Sequence, residues 1–482
     1  MVETGKTKMI RNDVTVILPT KNEEETLPHI LPLLRDYNVI VVDDSDNDLT
    51  RQVAEKIGGC VFLQGVGNES PSIKHALETV LNNKMLPFQT KYCVVMDCDG
   101  SQDINIIPRM IEDLEEGKDL SIGSRYCMGG SSGSSNPFSQ AGNIFAKIVL
   151  STKTKDLTGR YVAAEPGLLL KCCRWLGRGE DSVELIFNAE KRGEKVCEIP
   201  FVYTSRIGGK SKTNIPKYLI KYFMKVLSIK LDSWRLYGRD YIVRGLARDY
   251  VESSEAIKST FWVEIIYFLQ VPLFLLMSIP CRIPFLEVLC NFVATNFPRG
   301  IIGFFLRGVY WKTRLGGMGN NCFFDYGTSC MGPENIYLGN NIHIDERCSL
   351  VSVTGKIKID DYVHVSLNCY LQGKEGIEIG EYSTVSGSCM LYSATNYYKN
   401  EKGELMSSSA MAPLCMQHIK KNKIKIGKYS FVGAGTIIIP NGGSGDHSVI
   451  GSNSVVNEYV DDFKIAVGSP IRIVGDVRYE EN

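Results

Sequence analysis

The chain has 482 residues, which exceeds one ordinary domain, so two or three domains are expected. Hydrophobic residues make up 44% and charged residues 22% of it, which excludes a disordered chain and indicates packed cores. The formal net charge is zero, so we expect no nucleic-acid partner. The 15 cysteines form no zinc-type CxxC pairs, and residues 1–13 are too polar for a signal peptide. These features favour buried, reduced thiols in a cytosolic protein.

The first zone, residues 13–230, alternates short β-rich runs with helical patterns, which predicts an α/β domain on a mostly parallel sheet. The predicted strands are 14–19, 39–43, 92–97 and 120–124. The predicted helices are 24–35, 49–56, 72–83 and 105–116. Side chains alternate along an extended chain, so Asp97 and Asp99 can point the same way at the end of the third strand. Two such carboxylates suit Mg²⁺ or Mn²⁺ bridging a diphosphate.

The second zone is basic first and apolar later. Residues 206–248 contain eleven Lys or Arg and only two acids. Lys217, Lys221 and Lys225 recur at helical spacing, which is typical of a helix on an anionic membrane surface. An ordinary solvated helix face is the alternative. The stretch 261–281 is long enough to span a membrane but is interrupted by polar residues and proline. We therefore predict a helical, membrane-associated linker over 231–312.

The third zone, residues 313–482, is a repeat array in which aliphatic residues recur in sixes, often followed by Gly, Asp or Ser. Three six-residue sides make one triangular coil, and the aliphatics stack inside it. The pattern predicts a parallel β-helix. A polar excursion between 391 and 422 interrupts it.

Residues 14–230 resemble the dolichol- or polyprenyl-phosphate mannose synthases, a branch of the family 2 glycosyltransferases. The matching motifs are PTKNE at 19–23, VVDDS at 41–45, DCD at 97–99, GSRY at 123–126, DLTG at 156–159 and EIP at 198–200 with RIGGKSK at 206–212. The resemblance implies a GT-A (Rossmann-like) fold and inverting transfer from a nucleotide sugar, commonly GDP-mannose, to polyprenyl or dolichyl phosphate. Gln140 replaces the arginine of the family's SRGAN segment. UDP-glucose or a UDP-hexosamine is an alternative donor.

A phosphate monoester is largely ionised at pH 7, so its acceptor site needs cations more than a strong base. With the resemblance, this reasoning assigns the site residues. The catalytic set is Asp97, Asp99, Arg125 and Arg206. The metal set is Asp97, Asp99 and Ser101. The nucleotide-sugar set is Pro19, Thr20, Asn22, Glu23, Asp43 and Asp44. The acceptor-phosphate set is Ser139, Asn143, Lys210 and Lys212.

Residues 298–475 resemble the hexapeptide-repeat O-acyltransferases, such as the galactoside and maltose acetyltransferases. The matching motifs are KIGK at 425–428, VGAGT at 432–436 and VGSP at 467–470. The resemblance implies a left-handed parallel β-helix, a homotrimer, and acetyl-CoA bound between adjacent subunits. The residues expected to line the coenzyme are Gly433, Ala434, Gly435, Ser452 and Ser454.

The acyltransferase base is the open point of this half. These enzymes usually use a histidine to deprotonate the acceptor hydroxyl, and Asn396 stands at its expected position. Asparagine cannot act as a general base, which leaves His343, His364 and His418 as candidates. A non-catalytic trimerisation scaffold is the alternative role for this half.

The whole chain is thus expected to be a bifunctional enzyme at the cytoplasmic face of a membrane. Its expected parts are a glycosyltransferase domain at 1–230, a linker at 231–312 and an acyltransferase-like β-helix at 313–482. The two enzymatic parts would act on the same class of lipid-linked sugar.

Overall fold

A computed structural model describes residues 11–82, 86–133, 137–176, 181–204, 206–207, 215–237 and 261–478. The chain forms two compact units. The first ends at Lys230 and leaves out the short piece Lys191–Gly193. The second consists of that piece and the chain from Leu231 onward. The helices after residue 230 therefore belong to the same unit as the repeat array. All 15 cysteines are free thiols.

Seven strands form one sheet in the first unit. They are β1 (Arg11–Thr20), β2 (Tyr37–Asp43), β3 (Val61–Gln64), β4 (Tyr92–Val95), β5 (Leu120–Ser124), β6 (Val162–Ala164) and β7 (Val196–Pro200). The strand order is β3-β2-β1-β4-β6-β5-β7. β6 runs antiparallel to both of its neighbours, and the other pairs are parallel. The mostly parallel sheet confirms the α/β prediction and is the GT-A arrangement.

Helices cover both faces of this sheet. They are α1 (Leu27–Ile30), α2 (Leu49–Ile57), α3 (Glu69–Asn82), α4 (Ile107–Glu115), α5 (Pro137–Leu150), α6 (Pro166–Cys172), α7 (Asp181–Lys191) and α8 (Ile215–Trp234). Successive β1 side chains alternate between two buried cores, so Ile17 packs in one and Val16 and Leu18 pack in the other. Burial on both faces explains why the strands read as continuous apolar runs.

The predicted helix over 24–35 is wrong as a single helix. The structure has α1 followed by a separate 3-10 turn, Leu31–Leu34. Pro28 and Pro32 lack the backbone N–H that a continuous helix needs, so each can stand only near a helix start. The third predicted strand also ends earlier, at Val95, so Asp97 and Asp99 lie in the turn that follows β4.

The second unit is built on three sheets of short, mostly parallel strands. Sheet I holds β8 (Gly317–Met318), β11 (Ile336–Leu338), β14 (Ile357–Ile359), β17 (Ile377–Ile379), β22 (Ile424–Ile426), β25 (Gly443–Ser444) and β28 (Tyr459–Val460). Sheet II holds β9 (Phe323–Phe324), β12 (His343–Ile344), β15 (His364–Val365), β18 (Thr384–Val385), β23 (Phe431–Val432), β26 (Val449–Ile450), β29 (Lys464–Val467) and β30 (Arg472–Asp476). Sheet III holds β10 (Ser329–Met331), β13 (Ser349–Val351), β16 (Tyr370–Gln372), β19 (Met390–Tyr392), β24 (Ile437–Ile438) and β27 (Val455–Val456).

Consecutive strands of the chain pass from sheet I to sheet II to sheet III, so each turn of the array is one coil of a β-helix. The aliphatic residues that define the six-residue repeat, such as Ile359, Val365 and Leu371, are fully buried in one continuous core. The interruption is also present, because β20 (Ala394–Tyr397) and β21 (His418–Lys421) form an antiparallel pair outside the three sheets. Handedness remains a prediction.

Three helices pack on the first coils. They are α9 (Phe261–Ser278), α10 (Pro284–Asn296) and α11 (Ile301–Arg314). Phe274, Val309 and Trp311 from these helices share the apolar core of the coils. The end of a β-helix leaves its apolar column open, and these helices cover it. Two polar residues of the apolar zone hold the arrangement. The side-chain oxygen of Gln270 accepts from the backbone N–H groups of Leu236 and Tyr237, and its NH₂ group donates to the carbonyl of Tyr237. The buried Arg307 donates to the carbonyl of Phe324 at 2.7 Å.

The predicted linker is helical in the structure, and its association with a membrane stays a prediction. Among the described residues, no single helix has the length and hydropathy of a membrane span. The segments Tyr267–Arg282 and Pro284–Asn296 reach that hydropathy only together, and they are bent by 119°.

The predicted basic face of α8 differs from the structure. Lys225 faces the protein, where its ammonium pairs with the buried carboxylates of Asp181 and Glu184. Tyr222 and Val226 pack in the core of the first unit. Lys221 is exposed, and exposed apolar side chains share the outer surface with it.

Candidate functional site

The two carboxylates that follow β4 are each bound to an arginine. Arg160 donates to Oδ1 of Asp97 at 2.9 Å, and the Gln102 amide donates to Oδ2 at 3.1 Å. Nε of Arg206 lies 2.9 Å from Oδ2 of Asp99. Oδ1 of Asp99 accepts from the Ser101 hydroxyl at 2.6 Å. All four carboxylate oxygens therefore already have protein donors.

Burial raises the pKa of the Asp97 carboxyl, and the positive charge of Arg160 opposes the rise. Asp99 is buried and Asp97 partly so. Since a buried anion is costly unless a cation accompanies it, the two arginines offset the burial of these carboxylates.

The segment that carries Arg206 lies along the turn of the carboxylates. The amide of Ile207 donates to the carbonyl of Asp99 at 3.1 Å, and that of Thr204 donates to the carbonyl of Ser101 at 3.2 Å. Gly100 has φ +74°, and an added Cβ there would stand 2.4 Å from the Ile207 side chain. Only glycine allows this approach without strain, so the sequence Asp-Gly-Ser positions Arg206 as well as the carboxylates.

The predicted nucleotide-sugar residues lie at the carboxyl ends of β1 and β2. Thr20 and Ser45 donate to Oδ1 of the buried Asp43 at 2.8 and 2.6 Å. Asp44 accepts from the amide of Gly67 and the hydroxyl of Ser72, both at 2.7 Å, and so holds the loop after β3.

The other residues of this set are also in the two turns. Pro19 is buried at the end of β1. Asn22 has φ +54°, and its backbone N–H donates to the hydroxyl of Ser45 at 2.7 Å. Glu23 accepts from the hydroxyl of Thr26. The parallel pairing of β1 with β2 brings these turns together at one edge of the sheet.

Arg125 is committed to a neighbouring carboxylate. Its Nε and Nη2 donate to the two oxygens of the fully buried Asp156, both at 2.8 Å, and Nη2 also donates to Thr158. Despite burial, these hydrogen bonds lower the pKa of Asp156. This fork-to-fork pair fixes the DLTG segment against GSRY. The guanidinium of Arg125 therefore acts in the structure as a positioning group.

The acceptor-phosphate candidates fall into two groups. Ser139 and Asn143 lie one turn apart on α5. Asn143 is buried, its amide donates to the carbonyl of Lys155, and its oxygen accepts from the amide of Leu157 at 2.8 Å. Lys210 and Lys212 lie outside the described residues.

Arg160 and Glu69 were missed by the sequence reasoning. Arg160 bridges Asp97 to Glu69, which lies at the start of α3. Arg160 directly follows the DLTG motif, so its position next to a recognised motif was the available signal. Gln102, which directly follows Ser101, was also missed, and Asp156 was named only as part of the DLTG motif, without a role of its own.

The donor set of this site fits a Mg²⁺ or Mn²⁺ ion. Two carboxylates with a neighbouring serine hydroxyl are the hard oxygen ligands that these ions prefer. Asp97, Asp99 and Ser101 would hold the ion, which would replace Arg160 and Arg206 on the two carboxylates.

In the second unit, the predicted coenzyme residues form stacked corners. The amide of Gly433 donates to the carbonyl of Ile450 at 2.8 Å, and a Cβ on Gly433 would stand 2.5 Å from the amide nitrogen of Ser452. Ala434 and Gly435 follow in the same turn. The buried Ser454 hydroxyl donates to the carbonyl of Gly451 at 2.7 Å.

The four acyltransferase candidates lie at two places. Asn396 is on β20, where its amide donates to the carbonyl of Ser408 at 3.0 Å, and His418 is on β21. His343 and His364 lie on adjacent strands of sheet II, with Asp345 between them. The structure thus brings the histidines of sheet II together and keeps them off the β20–β21 pair.

Comparison with known proteins agrees with this division. The family model described as glycosyl transferase family 2 matches residues 15–164. An uncharacterized glycosyltransferase of Mycobacterium bovis is 32% identical over 219 residues, which cover 43% of this chain and 92% of the relative.

The second unit has different relatives. The Escherichia coli dTDP-4-amino-4,6-dideoxy-D-glucose acyltransferase is 31% identical over 159 residues, covering 33% of this chain and 81% of that enzyme. The solved structure of AntD, an N-acyltransferase from Bacillus cereus in complex with dTDP and 3-hydroxybutyryl-CoA, is 28% identical. It covers 34% of this chain and 85% of its own, with a TM-score of 0.31.

Proposed function

For a chain that belongs to glycosyltransferase family 2 in its first unit and to the hexapeptide acyltransferases in its second, we propose two activities. The first unit transfers a hexose, mannose from GDP-mannose being the favoured case, to a polyprenyl or dolichyl phosphate. The second unit transfers an acyl group from an acyl-CoA to a sugar.

The observation that carries the first proposal is the group Asp97, Asp99, Arg160 and Arg206 beside the ends of β1 and β2. Such a reaction has three charged parts, which are the cation, the leaving diphosphate and the attacking phosphate. The two carboxylates can bind the cation, and the two arginines can bind the phosphates. A bound Mg²⁺ or Mn²⁺ neutralises the developing charge on the leaving diphosphate.

The arginines have the complementary role. A guanidinium binds phosphate oxygens in a bidentate way, so Arg160 and Arg206 bind phosphates once they leave the carboxylates. An ionised phosphate monoester needs no strong base, and the side-chain partners of Asp97 and Asp99 among the described residues are arginine, glutamine and serine. The acceptor therefore attacks the sugar as an anion held by arginine.

The acyl acceptor is argued from Asn396. A hydroxyl must lose its proton to attack a thioester, and asparagine cannot take it. An amine with a pKa near that of an α-amino group, about 8, is partly neutral at pH 7 and attacks directly. The thioester C–S bond then breaks, CoA leaves as the thiol, and the amine loses a proton. An amino sugar is therefore the favoured acceptor, as the name of the E. coli relative also suggests. A sugar hydroxyl is the second candidate.

Membrane association and trimerisation complete the proposal. Exposed apolar side chains on α9 and α10 support contact with the cytoplasmic face of a membrane. The β-helix supports a homotrimer with acyl-CoA between subunits.

One experiment tests both activities. The chain is incubated with polyprenyl phosphate, acetyl-CoA, an amino-sugar nucleotide and a panel of GDP- and UDP-sugars, and the products are identified by mass spectrometry. We expect a hexosylated lipid and an acetylated amino sugar. Asp99→Ala should lower lipid hexosylation at least about 100-fold, because the leaving diphosphate loses its cation site. Acetylation should persist and serve as the internal control.

The matched control is Asp103→Asn, which changes an exposed carboxylate four residues further along the chain. Hexosylated lipid at the normal level in Asp99→Ala would reject the metal assignment. Absence of any acetylated sugar, with hexosylation intact, would favour the scaffold role of the β-helix.

A further inference from the structure

A cluster on the outer face of sheet II contains two of the histidines that an amine acceptor leaves without a catalytic role. The register of β12 and β15 pairs His343 directly with His364. Ile344 and Val365, the next residues of each strand, are buried, so both imidazoles project outward. Asp345 is two residues after His343 and returns to the same face.

The polar atoms of these three side chains converge. Nε2 of His343 is 3.4 Å from Oδ1 of Asp345, and Nε2 of His364 is 3.1 Å from Oδ2. The three ligand atoms all lie within 4.8 Å of one another. Ligands about 2.0–2.1 Å from a tetrahedral zinc ion are roughly 3.3 Å apart, so only small rotamer changes separate this arrangement from a coordinated one.

The surroundings hold the ligands in place. The hydroxyl of Ser366 donates to Oδ2 of Asp345 at 3.1 Å, as the second-layer groups of metal sites do. The rings of Phe304 and Phe323 pack at 6.4 and 5.9 Å from the His343 ring.

We propose that His343, Asp345 and His364 bind a divalent transition-metal ion, for which Zn²⁺ is the natural choice. Imidazole is a borderline donor, so a set of two imidazoles and one carboxylate suits Zn²⁺ better than Mg²⁺. Both imidazoles are more than 40% exposed, so a fourth position is open to water or to another ligand. The site is separate from the carboxylates of the first unit in both residues and ligand type.

The test is a calorimetric titration with Zn²⁺. The full chain is first treated with a chelator to remove bound metal, and excess Mg²⁺ is present to occupy oxygen-only sites. We expect one site per chain. His364→Ala and His343→Ala should each weaken Zn²⁺ binding at least about 100-fold, and Ser366→Ala about tenfold. The control is His29→Ala, which removes an exposed histidine of α1 and should leave the affinity unchanged.

Cobalt gives a second readout that does not depend on affinity. Co²⁺ in this site should show the visible absorption of a tetrahedral nitrogen-containing complex, and the band should vanish in His364→Ala. Circular dichroism checks that each variant folds. Equal Zn²⁺ affinity in the unmodified chain and both histidine variants, or the absence of a site in the unmodified chain, would overturn the proposal.

Discussion

The buried pair Arg125–Asp156 shows how a single contact changes the role of a residue. The sequence motif makes Arg125 a natural candidate for a phosphate ligand. In the structure, however, its Nε and Nη2 both donate to the carboxylate of Asp156. We therefore propose Arg206 and Arg160 as the phosphate ligands; the sequence reasoning had named Arg206 but not Arg160.

Asp156→Asn should destabilise the first unit by about 3 kcal/mol at pH 7, because it leaves the Arg125 charge buried without its partner. The folded-state pKa of Asp156 is lower than its unfolded value. Its stabilisation is thus complete above the unfolded pKa, about 4, and is lost as the pH falls through the folded pKa. Urea unfolding at several pH values measures this.

The difference in unfolding free energy between Asp156→Asn and the unmodified chain should shrink as the pH falls below 4. Asp46→Asn, at an exposed carboxylate, is the control. A difference that stays constant across that range would contradict the assignment.

At the scale of elements, one corner of the β-helix carries a column of stacked rings. The rings belong to Tyr362, Tyr382, Tyr429, His447 and Phe463, with centroids 4.7 to 5.0 Å apart. All five residues have φ between 54° and 63°, a left-handed conformation that non-glycine residues rarely adopt. The stacking offsets this backbone cost.

Tyr382 separates the two contributions. Tyr382→Asn loses stacking but tolerates left-handed backbone, so it should cost about 1 kcal/mol. Tyr382→Val also loses stacking and adds a β-branched side chain at φ +60°, so it should cost about 1–2 kcal/mol more. Thermal unfolding of the two variants measures the difference. Equal stability of both would show that the corner is unstrained.

At the scale of the whole molecule, the apolar helices of the second unit have two surfaces. One packs on the coils, and the other exposes large side chains, among them Phe285 at 86% and Phe292 at 65%. A surface of this kind is unusual on a monomeric soluble protein.

The double variant Phe285→Glu, Phe292→Glu should lower binding to anionic phospholipid vesicles at least about tenfold, because each phenyl ring contributes roughly 1.5–3 kcal/mol on leaving water. Co-sedimentation with vesicles measures the bound fraction. Leu405→Glu, at a residue 80% exposed in the excursion, is the matched control. Unchanged vesicle binding in the double variant would place membrane contact elsewhere.

Local patterns were enough for the α/β sheet, the coils and the choice of Asp97 and Asp99 as a pair, because strand alternation, six-residue periodicity and short motifs act over a few neighbouring residues. They did not show that β4 ends at Val95 and leaves both carboxylates in the following turn. Pro28 and Pro32 also indicated the break of the first helix, but the sequence analysis did not use them. The role of Lys225 was not legible, because its partners Asp181 and Glu184 lie some 40 residues away in the chain.

By itself, the sequence determined the two kinds of unit, the carboxylate pair and the corner motifs. Tertiary structure alone decided that Arg160 reaches Asp97, that Asp156 holds Arg125, and that His343, Asp345 and His364 meet. The physical reason is that such contacts join residues from separate strands and turns. Sheet register and burial bring these residues together, and no local preference encodes that register.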